Sequence, residues 1–303
     1  MSMLFLEGEP QAPPMALTLS PDLPHYGVPE LHVIDFDDNI SSTKAAIDGL
    51  LAVCQQQGLG DAINVDVIQQ AREDAWRRKG SYNILELLED NLAPEVMADV
   101  RARYRRGEGG HNLAFDDVVH YANRLSDDPS TPNFILTYGE NVDRYPDGGW
   151  QADKIQRARM QGALPPGYAY FMPHSRKGPV LERLHNRVDD TYDLLAFDKD
   201  NVLIAMYHAR RAVLIDDRKT SLANAPLNCT TMYMRRPNVP STPKQEEGDL
   251  PLDAVEIESF DEVPVSKDIE PLNEAARNTE LERVSAFVPL WVYSSLTRTA
   301  AAV

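Results

Sequence analysis

The chain has 303 residues and a formal net charge of −17, and 43% of its residues are hydrophobic. This composition is that of a globular protein, so collagen, a coiled coil and wholesale disorder are excluded. The sequence contains no apolar run near the roughly 20 residues that a membrane-spanning helix needs. The strong negative charge argues against nonspecific binding to nucleic acid or to anionic lipid.

The N-terminal residues do not have the pattern of a targeting segment. An apolar patch over residues 3–6 is too short for a signal peptide and follows no basic residue. The two cysteines, Cys54 and Cys229, cannot form a disulfide framework and lack metal-ligand spacing. We therefore expect an uncleaved cytoplasmic protein. Residues 1–30 contain six prolines and predict an extended arm, because proline interrupts helices.

A strand and then a block of helices follow this arm. Residues 31–35 are an apolar run between a proline and a polar turn, which predicts a strand. Within residues 42–130, five successive segments place apolar residues at helical spacing, as Ile47, Leu50 and Cys54 do in the first of them. Because no strand pattern interrupts these segments, we predict an all-helical inserted cap domain of about 90 residues.

Strand patterns return after the helical block and alternate with helical ones. The predicted strands cover 134–137, 168–172, 212–216 and 230–234, a hairpin covers 194–207, and helices cover 150–161 and 180–188. This alternation predicts a doubly wound parallel sheet in an α/β core built from residues 31–41 and 131–236. Residues 237–303 are acidic and rich in proline. We expect a linker there, followed by a C-terminal segment with a helix near 270–283 that docks on the core.

Polar residues follow the predicted strands of the core in four places. They are Asp35 with Asp37, then Thr137, then Lys177 at a helix start, and finally Asp216 with Asp217. Ligands of open α/β sheets bind at the carboxyl edge of the strands, so we expect these side chains to lie together. Closely packed carboxylates cannot all stay ionised unaided, and Mg²⁺ bound to carboxylates and phosphate oxygens would resolve the repulsion. The residues thus predict phosphoryl transfer, in which a carboxylate can be the nucleophile.

The order and context of these residues resemble the four motifs of the haloacid dehalogenase-like (HAD) hydrolase superfamily. The first motif is a hydrophobic strand followed by Asp-x-Asp, here Val33 to Ile40. The other three are a strand ending in Thr, a Lys near a helix start and a strand ending in acidic residues. The resemblance covers residues 31–236 in organisation. It implies a HAD-like core of the phosphatase type, with a helical cap between motifs one and two that generally selects the substrate.

The resemblance also implies a role for each motif residue. Asp35 would be the nucleophile, and Asp37 would protonate the leaving oxygen and then activate water. Mg²⁺ would be held by Asp35, Asp37 through its backbone carbonyl, Asp216 and Asp217, and the phosphate by Thr137 and Lys177. The expected activity is Mg²⁺-dependent hydrolysis of a small phosphomonoester through an aspartyl-phosphate, with transfer to another acceptor left open. The acid at position 37 favours a phosphatase over a dehalogenase.

Two features depart from the family pattern. Asn39 stands where Thr or Val is usual, and Lys154 is a rival for the third-motif lysine, although Lys177 is preferred because it follows a strand. Asn39, together with the acidic and proline-rich ends, leaves open a non-catalytic HAD-like domain that binds a partner or acts as a scaffold. A signalling receiver domain is a weaker alternative, because receivers carry no helical insert of this size.

The helical block carries basic residues that could meet the anionic part of a substrate. These are Arg72, Arg77, Arg78, Lys79, Arg101, Arg103, Arg105 and Arg106. Charged residues on helices more often form a solvated face, so we expect only one or two of them to contact a ligand. The oligomeric state and the identity of the substrate cannot be read from these patterns.

Overall fold

The structure is a computed structural model of the chain. It describes residues 24–79, 83–126, 133–137, 144–145, 149–164, 169–171, 177–197, 203–226, 228–239, 245–264 and 270–271. Three predicted features lie outside the described residues. They are the arm up to residue 23, the turn of the hairpin at 198–201, and the C-terminal segment beyond residue 271 with its predicted helix.

Five helices follow one another between the first two strands, as the sequence predicted. They are α1 (Thr43–Gln56), α2 (Val65–Lys79), α3 (Ile84–Asn91), α4 (Pro94–Arg105) and α5 (Asp116–Ser126). Ser42 and Asn83 cap α1 and α3, because each side chain accepts a hydrogen bond from a backbone amide of the first turn. Pro94 begins α4, where its missing amide hydrogen is not needed. Among the helices in the described ranges, none is long and apolar enough to cross a membrane.

The other elements form a sheet and three further helices. The strands are β1 (His25–Ile34), β2 (Asn133–Leu136), β3 (Ala169–Phe171), β4 (His185–Asn186), β5 (Thr191–Phe197), β6 (Leu203–Asp216), β7 (Cys229–Met234), β8 (Val255–Ile257) and β9 (Glu270–Pro271), and the helices are α6 (Gly149–Met160), α7 (Lys177–Leu184) and α8 (Lys219–Ala223). Each strand predicted for the core is therefore present. β5 and β6 are antiparallel, as the predicted hairpin requires.

The sheet has a parallel centre with β1 and β6 at its middle. In the order β3, β2, β1, β6, β7 and β8, each strand is parallel to its neighbour. Ile34 near the end of β1 lies opposite Ile135 of β2 and Ile215 of β6. The carboxyl ends of these three strands therefore meet at one edge. Helices connect the parallel strands, so the predicted doubly wound α/β core is confirmed.

Several boundaries differ from the sequence prediction; for example, the second strand of the predicted hairpin and the strand predicted at 212–216 form one continuous strand, β6. β1 begins at His25 rather than at residue 31, because the residues from His25 onward already pair with β6. Pro29 has no amide hydrogen to donate, and it is the one position of β1 that the pairing with β6 passes over. The helix predicted to reach Val188 ends at Leu184, and β4 follows directly. Val188 is 86% exposed and belongs to a turn, so its helical spacing with the preceding leucine was coincidental.

The segment after the core is more structured than the predicted linker. β8 adds a parallel strand to the edge of the sheet next to β7. Ile257, Phe260 and Val263 from this segment are buried. Widely spaced apolar residues in an acidic, proline-rich sequence were interpreted as linker, yet these three supply enough apolar surface for the segment to pack against the sheet and α5.

Hydrophobic packing continues from the sheet into the inserted helices. One buried cluster contains Ile34 and Ile215 from the sheet together with Leu50 of α1, Leu88 of α3 and Tyr104 of α4. Burying apolar side chains of both parts in one cluster is the main stabilising contribution at their junction. The inserted helices therefore pack against the sheet through side chains of β1 and β6.

Candidate active site

The loop after β1 carries the first two candidate residues. The amide of Asp35 donates to the carbonyl of Ile215 (2.9 Å), which extends the ladder between β1 and β6 beyond the end of β1. The chain then turns at Asp38, whose φ of 56° is a left-handed conformation that aspartate tolerates better than most residues. The amide of Asp38 donates to the carbonyl of Ser41 (2.7 Å) and closes the turn. Asp35 is buried, whereas the side chain of Asp37 is 30% exposed.

Three carboxylates and one ammonium group meet at the carboxyl edge of the sheet. Oxygens of Asp35, Asp216 and Asp217 lie within 4.8 Å of one another, and all three residues are buried. Lys177, the first residue of α7, donates to Asp35 and, at 2.6 Å, to Asp216. The amide of Arg218 donates to the other oxygen of Asp216 (2.8 Å). The structure thus brings together these four of the six predicted site side chains.

Burial and repulsion shift the pKa values of this cluster. Removal from water raises the pKa of Asp35 to about 6, although Lys177 opposes the shift, and Asp216 adds to it. Burial, followed by repulsion from Asp35 and Asp216, raises the pKa of Asp217 well above its usual range. Burial also acts against the charge of Lys177, but attraction to Asp216 and Asp35 raises its pKa. Lys177 and the nearby Arg218 carry two positive charges, which do not offset three buried carboxylates, so the cluster favours a further cation.

Asp37 contacts a different lysine from Asp35. Its carboxylate accepts a hydrogen bond from Nζ of Lys154, which lies on α6. The Lys154 side chain is buried, and Nζ lies 5.8 Å from the centre of the Phe36 ring. In the sequence Lys154 was a rival of Lys177 for a single position. In the structure both lysines contact the β1 loop region, and each binds a different aspartate.

Thr137 follows β2 and is bound by a second residue of α6. Nε2 of Gln151 donates to Oγ1 of Thr137 (2.9 Å), and both residues are buried. Because Oγ1 accepts this hydrogen bond, the hydroxyl hydrogen can be donated to another acceptor such as a phosphate oxygen. The register between β1 and β2 places Thr137 one residue beyond the level of Asp35. Thr137 therefore lies at the same edge as the acid cluster without being part of it.

Asn39, the departure from the family motif, is buried under the β1 loop. Its side-chain Nδ2 donates to the backbone carbonyl of Asp37 (3.3 Å), and its backbone carbonyl accepts from Nη2 of Arg236 (2.6 Å). Arg236 also binds Asp117 of α5 (2.6 Å), and Asp117 accepts from the amide of Phe260 (2.6 Å). These contacts join the loop to the inserted helices and to the segment after the core. Of the two hydrogen bonds of Asn39, only the one from Nδ2 depends on its side chain, because Arg236 binds the backbone carbonyl, and Val at this position could not make the Nδ2 bond.

Several basic residues of the inserted helices are paired with nearby carboxylates. The pairs are Arg101–Asp153, Arg105–Asp153, Arg103–Glu108, Arg106–Glu108 and Arg77–Glu73. Asp153 lies on α6 and is fully buried, so its two arginines hold α4 against α6. The charges of Arg101 and Arg105 are therefore largely offset within the protein. This is a structural role, and it differs from the substrate contact that the sequence left open for them.

The structure adds residues to the candidate site that the sequence patterns did not single out. Gln151 binds Thr137, Gln245 donates to Asp217, and Arg218 lies near the acid cluster. Burial opposes the charge of Arg218, but Asp35 and Asp217 raise its pKa. Its position directly after the acidic pair was a usable signal. The two glutamines carried no sequence signal, because their contacts depend on how distant segments pack.

The donors at the acid cluster suit a hard divalent cation. Mg²⁺ takes oxygen ligands, and Asp35, Asp216 and Asp217 each offer a carboxylate oxygen within binding range of the others. Oδ1 of Asp217 is buried and has no hydrogen-bond partner in the described part of the chain. A buried carboxylate oxygen without a partner is costly unless a cation compensates for the lost hydrogen bonds. The three carboxylates present therefore fit Mg²⁺.

Proteins similar to the chain are found among solved structures. No family model and no curated protein matches the chain. A solved structure described as a haloacid dehalogenase-like hydrolase of Burkholderia xenovorans LB400 is 14% identical, with a TM-score of 0.48, and the match covers 79% of this chain and 99% of that one. The HAD hydrolase YfnB of Bacillus subtilis, bound to magnesium, is 16% identical with a TM-score of 0.41 over 78% and 97% of the two chains.

A third similar structure is that of a dehalogenase. The 2-haloacid dehalogenase of Pseudomonas syringae pv. Tomato DC3000 is 17% identical with a TM-score of 0.40, over 78% of this chain and 97% of that one. At such identities the likenesses concern the fold alone and assign no activity. Independently of them, the centre of the core sheet is parallel, and the residues of all four motifs lie at or beside one edge of it. The chain thus has the mostly parallel α/β sheet with flanking helices that its sequence predicted.

Proposed function

We propose that the chain is a Mg²⁺-dependent phosphohydrolase that acts on a small phosphomonoester through an aspartyl-phosphate. The observation that carries the proposal is the meeting of Asp35, Asp216 and Asp217 around Lys177, with Asp37 two residues after Asp35. This arrangement would provide a nucleophile, an anionic site for a metal and a cation for the phosphate at one edge of the sheet. Stabilisation of developing charge by such fixed groups is a major source of catalysis.

In the first half-reaction, Asp35 attacks the phosphorus of the substrate. A bond forms between a carboxylate oxygen and phosphorus, and the bond from phosphorus to the ester oxygen breaks. Asp37 in its acid form gives a proton to that oxygen, and the alcohol leaves. Partial exposure lets the Asp37 carboxyl reach a substrate, while the hydrogen bond from Lys154 orients it.

In the second half-reaction, Asp37 accepts a proton from water as the water oxygen attacks the phosphorus. The new oxygen–phosphorus bond replaces the bond to Asp35, so inorganic phosphate leaves and both aspartates return to their starting states. One ester and one water give one alcohol and one phosphate. A hydroxyl group of an acceptor in place of water would give phosphoryl transfer by the same steps.

The residues that would hold Mg²⁺ are Asp35, Asp216 and Asp217, with the carbonyl of Asp37. When bound, the ion would offset the negative charge of the carboxylates and of the phosphoryl group. Lys177 contacts both Asp35 and Asp216, so it favours the ionised form that a nucleophile needs. Thr137 would donate its hydroxyl hydrogen to a phosphate oxygen.

The test is phosphate release from a panel of phosphomonoesters with Mg²⁺ or with EDTA. We expect release that requires Mg²⁺ and falls at least about 1,000-fold in Asp35→Asn, because the nucleophile is lost. Asp48→Asn is the matched control, since Asp48 is a surface aspartate of α1 that binds Lys44. Release that persists in EDTA, or in Asp35→Asn at the wild-type rate, would contradict the proposal.

A second candidate is a non-catalytic HAD-like domain that binds a partner. The observation that favours it is Asn39, which replaces the usual Thr or Val and whose side chain donates to the carbonyl of Asp37. The acidic, proline-rich ends of the chain suit such a role. If the folded protein with Mg²⁺ releases phosphate from no substrate in the panel, this candidate is favoured. Halide release from 2-haloacids would instead indicate a dehalogenase, which the acid at Asp37 argues against.

A further inference from the structure

We infer that Gln245, which belongs to none of the four motifs, is a positioning residue for the metal-binding carboxylate of Asp217. The inference rests on the proposed function, because it concerns an ion held by Asp35, Asp216 and Asp217. It goes beyond that function by giving the segment after the core, residues 245–264, a part in the active site. The sequence interpretation had placed this segment outside the chemistry.

The contacts of Asp217 differ from those of the other two carboxylates. Lys177 donates to both Asp35 and Asp216, and the amide of Arg218 donates to Asp216. Asp217 instead accepts a hydrogen bond at Oδ2 from Nε2 of Gln245, and its buried Oδ1 has no hydrogen-bond partner among the described residues. Gln245 and Asp217 are 7% and 6% exposed. The carboxamide therefore orients a buried carboxylate and leaves one oxygen for a cation.

Gln245 is itself held in place by its neighbours. Its backbone carbonyl accepts a hydrogen bond from the backbone amide of Lys219 at the start of α8 (3.3 Å). The next residue, Glu246, binds Nζ of Lys219 (2.6 Å) and accepts from the hydroxyl of Tyr233 (3.3 Å). Further along, β8 pairs with β7, so the segment rejoins the sheet. The backbone that carries the carboxamide is thus fixed by contacts that do not involve an ion.

An uncharged donor suits this position for an electrostatic reason. A lysine could also donate to Asp217, but its charge would compete with the cation for the carboxylate. A carboxamide orients the carboxylate and leaves its charge available. Partners of this kind behind metal ligands typically change metal affinity or activity by about 10- to 100-fold when they are removed.

The experiment measures Mg²⁺ binding to Gln245→Met by isothermal titration calorimetry, at a temperature where circular dichroism shows each variant folded. Methionine keeps the length of the side chain and removes the donor. Gln57→Met is the matched control, since Gln57 donates to Asp99 (2.7 Å) in a glutamine–aspartate pair on the surface. Asp216→Asn removes a proposed ligand and tests the premise. Phosphate release is then measured as a function of Mg²⁺ concentration.

We expect Gln245→Met to raise the Kd for Mg²⁺ about tenfold and Gln57→Met to leave it unchanged. Activity of Gln245→Met should recover at saturating Mg²⁺, which loss of structure would not allow. The inference is overturned if the Kd for Mg²⁺ is unchanged or lower in Gln245→Met while Asp216→Asn no longer binds Mg²⁺. The proposed metal site would then stand without a part for Gln245. No Mg²⁺ binding by the wild type overturns the metal site itself, and with it both proposals.

Discussion

Two buried lysines approach the β1 loop from different helices, and they differ in what they contact. Lys177 begins α7 and donates to both Asp35 and Asp216, so it is surrounded by the acid cluster. Lys154 lies within α6 and donates to the partly exposed Asp37, beside the ring of Phe36. The first lysine offsets the charge at which a metal and a phosphoryl group would bind. The second orients the carboxyl group that would transfer protons.

This difference shows that the site residues are held by two parts of the molecule, the sheet and the inserted helices. Lys177 is tied to the sheet itself, because its partners lie at the ends of β1 and β6. Lys154 is tied to the inserted helices, because the adjacent Asp153 on α6 binds Arg101 and Arg105 of α4. Asp37, the proposed proton-transfer group, is therefore held through the insert, whereas Asp35, the proposed nucleophile, is held by the sheet.

The largest effect is expected from Lys177→Met. The change leaves Asp35 and Asp216 buried together without their common cation, so kcat at saturating Mg²⁺ should fall about 1,000-fold. Steady-state phosphate release measures this, with Lys44→Met as the control because Lys44 forms an exposed pair with Asp48. A fall of less than tenfold would mean that the proposed metal alone suffices to offset the carboxylates.

Lys154→Met should have a smaller effect of a different kind. Loss of the hydrogen bond to Asp37 disturbs the orientation of the proton-transfer group, so kcat should fall about 10- to 100-fold while KM changes little. Lys154→Arg keeps a cationic donor and should restore most of the rate. If KM rises instead and kcat is unchanged, Lys154 contacts the substrate and does not act through Asp37.

The two lysines also show how far the sequence can predict such a site. Lys177, Asp35 and Asp216 follow strands, and strand ends at one edge of a parallel sheet must converge, so their meeting was predictable. Lys154 lies in a helix whose sequence, Gln-Ala-Asp-Lys, is typical of an exposed surface. Lys154 is buried because two arginines of α4 neutralise the adjacent Asp153. No local sequence pattern indicates such a partner. The same holds for Gln245, whose contact with Asp217 depends on a segment that returns to the sheet.

The smallest expected effect concerns the pH dependence of stability in the metal-free protein. The two lysines should differ in their influence on the pKa of Asp35. Burial raises the pKa of Asp35 to about 6, so the folded state binds a proton that the unfolded chain releases near pH 4. The free energy of unfolding should therefore decrease as the pH rises through this window, because the folded state binds more protons there than the unfolded state. Lys177 opposes the shift, so Lys177→Met should raise the pKa further and extend the decrease to higher pH. Each additional pKa unit corresponds to about 1.4 kcal/mol in the free energy of unfolding.

Urea unfolding in EDTA at several pH values measures this pH dependence. The Lys154→Met variant should keep the wild-type window, because the cations that lower the pKa of Asp35 are Lys177 and Arg218. Equal pH dependence in both variants would mean that the two lysines share one electrostatic environment, and the division of the site between sheet and insert would then be wrong.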